Sequence, residues 1–216
     1  PSALAPRQVL KNIIGLLDKE QLRAVVAPEL EFYLCEQNLD PDLPLKTPIG
    51  KSGRREKGSR VFGIDAVNEF DDLTDDIYDY CEVLKIGVDT LIHESGPSQI
   101  EINLNHGDPL QLADQAFMFK RAVRQVALKH GIHATFMSKP YQGHPGSSMH
   151  IHQNIISKKT NKNLFSDENG NNTEEFFHFI GGLQTYLPDA MLFFAPYVNS
   201  YRRFVIDASA PINTHW

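Results

Sequence analysis

The sequence predicts an α+β domain built around a mainly antiparallel sheet. Helical and strand-like periods of apolar residues alternate along the 216 residues without an internal repeat. Two strand-like segments, Val88–His93 and Gln99–Asn105, flank the turn Ser95–Ser98 and are expected to form an antiparallel hairpin. A hydrophobic fraction of 41% and a charged fraction of 22% indicate one globular unit with a sizeable core.

The first half of the chain supplies two helices, a strand and a loop before this hairpin. Arg7–Lys19 has apolar residues at helical spacing, and Arg23–Leu34 is rich in β-forming residues. Asn38–Ser59 contains three prolines and three glycines, which predicts a long mobile loop. Asp71–Ile86 predicts an amphipathic helix that ends at Gly87. The side chains expected to face the core from this helix are Ile77, Tyr80, Cys81 and Leu84.

The second half begins with the predicted helix Asp108–His130. Asp108 is a favourable N-cap, proline follows it in the first turn, and Gly131 follows the end of the helix. The remaining predicted elements are strands Thr135–Lys139 and Met149–Ile156 and a helix from Thr173 toward Phe194, broken or kinked at Pro188.

Composition and charge exclude several classes of function. A net charge of -6 provides no general attraction to nucleic acid or to anionic membranes. No apolar run approaches the ~20 residues that a membrane-spanning helix needs, and no secretory signal is visible. Cys35 and Cys81 lie in apolar periodic segments, so we expect buried free thiols and a cytoplasmic protein. Because the chain starts at Pro1 and stops at Trp216, we expect it to be part of a longer protein.

Carboxylates in strand-like settings are the main candidate chemistry. Glu29 and Glu31 are two residues apart on a strand, so their side chains share one face. Glu94 and Glu101 flank the hairpin turn, which brings them toward one point. Uncompensated carboxylates raise one another's pKa, and a divalent cation is the usual way to keep such a group ionised.

Two histidines, His150 and His152, share one face of a later strand and add nitrogen ligands. Mixed carboxylate and imidazole ligands suit Mg or Mn beside a phosphoryl group. Each motif alone has an ordinary explanation, such as a solvated strand face or a core histidine. Gly143–Ser148 is a weak candidate phosphate loop because it lacks the lysine of a P-loop. The solvated face of a helix is the simplest explanation for the basic residues Lys120, Arg121, Arg124 and Lys129.

Several motifs together resemble the glutamine synthetase superfamily in order and spacing. They are Glu29–Phe32, His93–Glu94, Gln99–Ile102, Ala134–Pro140, Gly146–His152 and Asn199–Arg203. Three further segments resemble the branch of glutamate-putrescine and related gamma-glutamylpolyamine ligases: Gly107–Leu110, Phe119–Arg121 and Ala210–Asn213. The resemblance implies that residues 1–216 form a partial catalytic domain, truncated at both ends, whose curved sheet is a partial barrel with helices outside.

This resemblance implies an ATP-dependent ligase that joins glutamate to an amine through gamma-glutamyl phosphate, with two or more Mg or Mn ions. By family pattern one metal is held by Glu31, Glu94 and Glu101. A second metal, beside the ATP phosphates, is held by Glu29 and His150. The remaining implied roles are nucleotide binding by His152, glutamate binding by Gly146, and catalysis with substrate-carboxylate binding by Arg203.

Two positions depart from the ammonia-using pattern. Ser209 stands where many glutamine synthetases have a glutamate linked to ammonium binding, which favours a larger amine such as putrescine. Pro145 stands where an asparagine of the glutamate-binding loop is common. Glutamine synthetase using ammonium remains the near alternative.

The resemblance also predicts missing parts and an assembly. Family members carry an N-terminal β-domain and further C-terminal residues, so we expect residues 1–216 alone to lack turnover and the parent to form a large ring of identical subunits. Other classes remain open: a non-catalytic family member, or an unrelated two-metal phosphohydrolase.

Overall fold

Residues 2–57 and 60–205 are described by a computed structural model of the chain. The strands are β1 Leu22–Glu36, β2 Val88–His93, β3 Gln99–Leu104, β4 Ile132–Thr135 and β5 Met149–Ser157. The helices are α1 Pro6–Lys19, α2 Ile64–Asn68, α3 Asp71–Val83, α4 Pro109–Lys129 and α5 Glu174–Phe194, followed by the 3-10 helix Val198–Arg203. The predicted α+β class is confirmed.

The five strands form one open sheet in which β1 is central. Its neighbours β3, β4 and β5 all run antiparallel to it, and β2 extends the sheet beyond β3. Glu29 pairs with Asn103 of β3 on one edge and with His150 of β5 on the other. Tyr33 likewise pairs with Gln99 of β3 and with Thr135 of β4. Therefore β4 and β5 follow one another along the same edge of the long strand β1.

The core lies on one face of this sheet. Alternation along β1 directs Leu30, Phe32 and Leu34 toward helices α3 and α4, and all three side chains are buried. The intervening residues Glu29, Glu31 and Tyr33 therefore lie on the opposite face. The strand β1 therefore presents apolar side chains to the core on one face and polar side chains on the other.

Terminal signals are confirmed at two helices. The Asp108 carboxylate accepts hydrogen bonds from the backbone N–H groups of Leu110 and Gln111 at the start of α4, and Thr173 caps α5 through Phe176 N–H. Gly131 adopts a left-handed conformation (φ 74°) after α4. Cys35 and Cys81 are buried free thiols. Of the helices in the described part of the chain, none is long and apolar enough to cross a membrane.

Several element boundaries differ from the prediction. The strand expected at Thr135–Lys139 lies earlier, at Ile132–Thr135, because it completes the edge of β1 before the chain turns away. α5 continues through Pro188 without a break, and the short helix α2 was not predicted.

The end of α3 was also predicted wrongly. α3 ends at Val83, and Lys85 rather than Gly87 adopts the left-handed conformation. Gly87 instead packs closely against Asn105, where a Cβ would lie 2.8 Å from the side-chain nitrogen. Ile77 and Cys81 face the core as predicted, but 42% of Tyr80 and 40% of Leu84 are exposed.

The predicted solvated face of α4 is partly wrong. The Lys120 ammonium lies 5.0 Å and the Arg124 guanidinium 5.1 Å from the centroid of the Phe136 ring. Burial lowers the pKa of Lys120, and the neighbouring Arg124 charge acts in the same direction. Lys120 is therefore partly buried over this ring, whereas Arg124 lies near the same ring but stays exposed as predicted.

Candidate active site

The polar face of the sheet brings together the carboxylates that the sequence singled out. Glu31 and Glu101 are direct partners in the register between β1 and β3, and Glu29 is the direct partner of His150 on β5. Because side chains at paired positions point to the same face, three strands contribute to one cluster. The hairpin between β2 and β3 adds Glu94 at its turn.

Glu31 is buried and accepts three hydrogen bonds. One carboxylate oxygen accepts from Ser148 Oγ, and the other accepts from Ser148 N–H at 3.1 Å and from Gln99 Nε2 at 3.0 Å. The backbone is tied as well, since Glu31 N–H donates to Ser148 O at 3.2 Å. These bonds fix the orientation of the carboxylate before any ligand arrives.

Glu29 is paired with both histidines of β5. Glu29 Oε2 lies 3.2 Å from His150 Nδ1, and Oε1 lies 2.8 Å from His152 Nε2. Burial raises the pKa of Glu29, but the hydrogen bonds and charges of His152 and His150 outweigh burial and hold that pKa below its usual range. Glu29 therefore stays ionised at neutral pH.

Glu101 is the least compensated carboxylate of the cluster. Burial, followed by the negative charges of Glu29, Glu31 and Glu94, raises the pKa of Glu101 to about 7, and a hydrogen bond with Asn103 only partly offsets this. One oxygen each of Glu29 and Glu101 and one nitrogen of His150 lie within 4.8 Å of one another. This donor set matches what a hard or borderline divalent cation binds.

Glu94 is placed by the hairpin turn and by a buried support beneath it. Its carboxylate accepts from Ser95 N–H at 3.0 Å, and its backbone N–H donates to Gln99 O at 2.8 Å.

The hairpin turn is held by Glu56, a residue of the long loop. Glu56 Oε2 lies 2.9 Å from His93 Nε2 and accepts from Ser98 N–H at 2.6 Å. The long loop predicted at Asn38–Ser59 thus holds one end of the hairpin.

The glycine-rich segment Gly143–Ser148 packs closely against the sheet and the 3-10 helix. The Tyr33 hydroxyl donates to Pro145 O at 2.7 Å. Gly146 has no room for a side chain, because a Cβ there would lie 2.5 Å from Ser138 O and 2.8 Å from Arg203 Cγ. Any other residue at position 146 would displace Arg203 or the backbone.

Arg203 is half-buried beside this loop, whereas its neighbour Arg202 is exposed. Burial lowers the pKa of the Arg203 guanidinium, and the Glu31 charge acts in the opposite direction. Within the described residues, Arg203 Nε and Ser147 Oγ are both buried without a hydrogen-bond partner. Unpaired buried donors of this kind are costly unless a ligand satisfies them.

The structure therefore gathers all the predicted site residues on one face: Glu29, Glu31, Glu94, Glu101, Gly146, His150, His152 and Arg203. Ser209 and Ala210–Asn213 lie outside the described residues. Sequence reasoning missed Gln99, Ser148 and Tyr33, which hold the site in place. The available signal was spacing, since Gln99 precedes Glu101, and Ser148 precedes His150, by two residues on the same face.

Comparison with known proteins identifies the family. Residues 3–216 match the sequence model described as glutamine synthetase, catalytic domain. The chain belongs to the glutamine synthetase family. Gamma-glutamylputrescine synthetase PuuA of Escherichia coli K12 is 39% identical over 100% of this chain and 46% of its own length. Glutamine synthetase of Pyrococcus abyssi is 35% identical over 100% of this chain and 46% of its own length.

A solved structure supports the same assignment. The GmaS/ADP complex matches with a TM-score of 0.78 and 28% identity, over 96% of this chain and 46% of that chain. The chain thus spans slightly less than half the length of these relatives. The glutamine synthetase family consists of carbon–nitrogen ligases, so the cluster on the polar face is the candidate active site of a ligase.

Proposed function

We propose that the parent protein is an ATP-dependent ligase that forms a gamma-glutamyl amide from glutamate and an amine. ATP transfers its γ-phosphoryl group to the γ-carboxylate of glutamate, giving an acyl phosphate and ADP. The amine nitrogen then attacks the acyl carbon, phosphate leaves, and the nitrogen loses one proton. Activation is needed because a free carboxylate is a poor acyl donor.

The observation that carries this proposal is the cluster of Glu29, Glu101 and His150 with its uncompensated charge. A buried carboxyl group with a pKa of about 7 beside three other carboxylates is a poor structural element but a suitable cation ligand. Bound Mg or Mn would neutralise the charge of the transferring phosphoryl group. The donor chemistry of these residues therefore fits divalent cations.

We assign the ligands to two sites on the family pattern. Glu31, Glu94 and Glu101 hold the cation nearer glutamate, and Glu29 and His150 hold the cation nearer the nucleotide. One ligand atom each of Glu101, Glu29 and His150 lie within 4.8 Å of one another, which supports a position for Glu101 next to both proposed cations. His152 is assigned to the nucleotide side, where its contact with Glu29 orients the ring.

The glutamate substrate is assigned to the surface formed by the Gly143–Ser148 loop and the Arg203 guanidinium. The planar guanidinium can pair with a carboxylate through two parallel hydrogen bonds. Arg203 Nε and Ser147 Oγ supply donors that lack a partner in the described structure. The absence of a side chain at Gly146 leaves the guanidinium stem in contact with the loop.

For the acceptor we favour a polyamine such as putrescine over ammonium. The 39% identity to a gamma-glutamylputrescine synthetase supports this assignment, as does Ser209 in place of a glutamate. Glutamine synthetase activity is the second candidate, because the 35% identity to an archaeal glutamine synthetase is nearly as high.

The test is glutamate-dependent phosphate release by the full-length parent with ATP and Mg or Mn. Ammonium, putrescine, spermidine and a simple monoamine are compared at matched concentrations, and the amide product is identified by mass spectrometry. We expect a polyamine to react at concentrations where ammonium does not. Preference for ammonium would establish a glutamine synthetase instead.

The same assay separates the other classes of function. Phosphate release that does not require glutamate would indicate a phosphohydrolase, and no release under any condition would indicate a non-catalytic family member. The Glu94→Gln variant should lose glutamate-dependent release. Asp76→Asn is the matched control, because Asp76 is a partly buried residue of α3 whose ion pairs are with Lys129 and His130 and not with the cluster.

Two wider properties complete the proposal. We infer that the parent assembles into a large ring of identical cytoplasmic subunits with active sites completed by neighbours, which light scattering and electron microscopy test. We also propose that residues 1–216 alone, which match only 46% of the relatives' length, lack turnover. Amide formation by that fragment would refute the second statement.

A further inference from the structure

Gln99 connects three parts of the active site through one side chain. Its Nε2 donates to Glu31 Oε2 at 3.0 Å and to Gly146 O at 3.0 Å. Its Oε1 accepts from Gly96 N–H at 2.9 Å. The residue is completely buried, so water cannot replace any of these partners.

We propose that Gln99 is a positioning residue that couples cation binding at Glu31 to glutamate binding at the Gly143–Ser148 loop. This inference rests on the proposed ligase function. Gln99 touches neither substrate nor cation and acts through the residues that do. Its role is to hold the Glu31 carboxylate and the Gly146 carbonyl in a fixed relation.

The Gln99 amide can make these three hydrogen bonds in only one of its two orientations. The two N–H groups of Nε2 are both used, one on a carboxylate and one on a carbonyl, while the oxygen faces a backbone donor. Rotating the amide by 180° would put an acceptor against Glu31 and Gly146 and a donor against Gly96 N–H. A movement of Glu31 toward a cation is therefore transmitted to Gly146.

Gly146 connects the Gln99 side chain to Arg203. Since a Cβ at position 146 would lie 2.8 Å from Arg203 Cγ, the loop backbone and the arginine stem are in direct contact. The opposite partner of the amide, Gly96, is also closely packed, since a Cβ at Gly96 would lie 1.8 Å from the Tyr33 hydroxyl. The path from Glu31 through Gln99 and Gly146 to Arg203 is thus continuous and closely packed.

Two variants of the full-length parent test the coupling. Gln99→Leu removes all three hydrogen bonds at nearly the same volume, and Gln99→Asn keeps the amide but shortens it so that it cannot reach all three partners. Gln115→Leu is the matched control, because Gln115 makes a single bond from Nε2 to Lys85 O on the far side of α4. The assembly state and circular dichroism of each variant establish that it is folded.

The first readout is Mn²⁺ affinity without substrates, measured by titration calorimetry or electron paramagnetic resonance. We expect Gln99→Leu to weaken Mn²⁺ binding about tenfold and Gln99→Asn about threefold, since a buried carboxylate loses a donor that orients it. Unchanged affinity in both variants, or equal losses in Gln115→Leu, would overturn the proposal. This readout does not depend on turnover, so it stands even if the proposed reaction is wrong.

The second readout is the KM for glutamate as free Mn²⁺ is varied. In the wild type the KM should fall as Mn²⁺ increases, and in Gln99→Leu it should rise about tenfold and lose this dependence while kcat changes less than about threefold. An equal fall in kcat with unchanged KM would show a general structural defect and contradict coupling. Absence of glutamate-dependent turnover in the wild type would reject the proposed function itself.

Discussion

Glu31 and Glu101 face one another across strands β1 and β3, yet they are held in opposite ways. Glu31 receives three hydrogen bonds from Ser148 and Gln99. Glu101 is equally buried, but its surroundings are dominated by other carboxylates, and its pKa is raised to about 7. The protein therefore fixes the orientation of Glu31, whereas it leaves the negative charge of Glu101 poorly compensated.

The difference separates two tasks within one small site. The Glu31 carboxylate is held in one orientation, because Ser148 belongs to the glycine-rich loop and Gln99 also bonds to Gly96 in the hairpin turn. Glu101 is held in an electrostatically unfavourable environment that a bound cation would relieve. Such a group is typical of a functional site, where stability is sacrificed for binding.

Replacing Glu101 with Gln tests the electrostatic side and should have the largest effect. We expect glutamate-dependent turnover of the parent to fall at least about 100-fold, because a ligand to the cation that stabilises the transferring phosphoryl group is lost. Without metal at pH 8, the same change should raise the free energy of unfolding by about 1 to 2 kcal/mol, because a buried repulsive charge is removed. Turnover assays and urea unfolding measure the two effects.

Glu82→Gln, on the exposed side of α3, is the matched control for this change. It should leave both turnover and stability within experimental error of the wild type. Loss of metal-free stability in Glu101→Gln would contradict the assigned repulsion, and full activity would remove Glu101 from the cation site.

Arg203→Lys tests the geometric side at the substrate. We expect kcat/KM for glutamate to fall about 10-fold to 100-fold, mostly through KM, because the ammonium cannot form two parallel hydrogen bonds with a carboxylate. Arg202→Lys is the control, since Arg202 is the exposed neighbour on the same 3-10 helix. Equal effects of the two changes would mean that general charge, rather than the position of Arg203, matters.

The same comparison shows how far sequence reasoning reaches. Alternation along β1 was sufficient to place Glu29 and Glu31 on one face, because strand geometry has a fixed period. The grouping of Glu101 with Glu31 came from the family resemblance, since the sequence alone does not show that β3 pairs with β1. Capping residues likewise predicted the starts of α4 and α5. These features depend on neighbours in the chain.

What sequence reasoning missed depends on distant contacts. Gln99 bonds to Glu31 and to Gly146, which are 68 and 47 residues away. Lys120 was predicted to be solvated, but its ammonium lies over the Phe136 ring, which follows β4 where this strand pairs with β1. The strand at Ile132–Thr135 was displaced for the same reason, since its limits are set by the edge of β1.

The pH dependence of metal-free stability offers a third test of the comparison. The pKa of Glu101 is about 7 in the folded protein and near 4.5 when unfolded, so the folded state keeps a proton that the unfolded state releases. The free energy of unfolding should therefore fall on the order of 2 kcal/mol as pH rises from about 5 to 8. Denaturant titrations in a chelator at several pH values measure this slope.

Other carboxylates act with the opposite sign and in a lower pH range. The hydrogen bonds and charges of His152 and His150 lower the pKa of Glu29 despite its burial, so the stability contributed by the ionised Glu29 carboxylate is lost as the pH falls into the acidic range. The Glu101→Gln variant should thus lose most of the decline between pH 5 and 8. A decline that persists in this variant would assign the titration to another group.

The smallest expected effect comes from Tyr33→Phe, at the edge of the hydrogen-bonded side. The change removes only the bond from the Tyr33 hydroxyl to Pro145 O, so the free energy of unfolding should fall by about 1 kcal/mol. The ring stays buried against Tyr141, which keeps the core intact. Tyr186→Phe, at an exposed position of α5, is the control and should be neutral.

For Tyr33→Phe, whether the KM for glutamate or the Mn²⁺ affinity changes is more informative than the size of either change. The hydroxyl contacts the loop that holds Gly146 but no carboxylate of the cluster, so the KM for glutamate should rise about threefold while Mn²⁺ affinity stays unchanged. If Mn²⁺ affinity fell as well, the loop and the cation ligands would be one rigid unit. The coupling between cation and glutamate binding would then involve the whole loop backbone, and Gln99 would be only one of the residues that provide it.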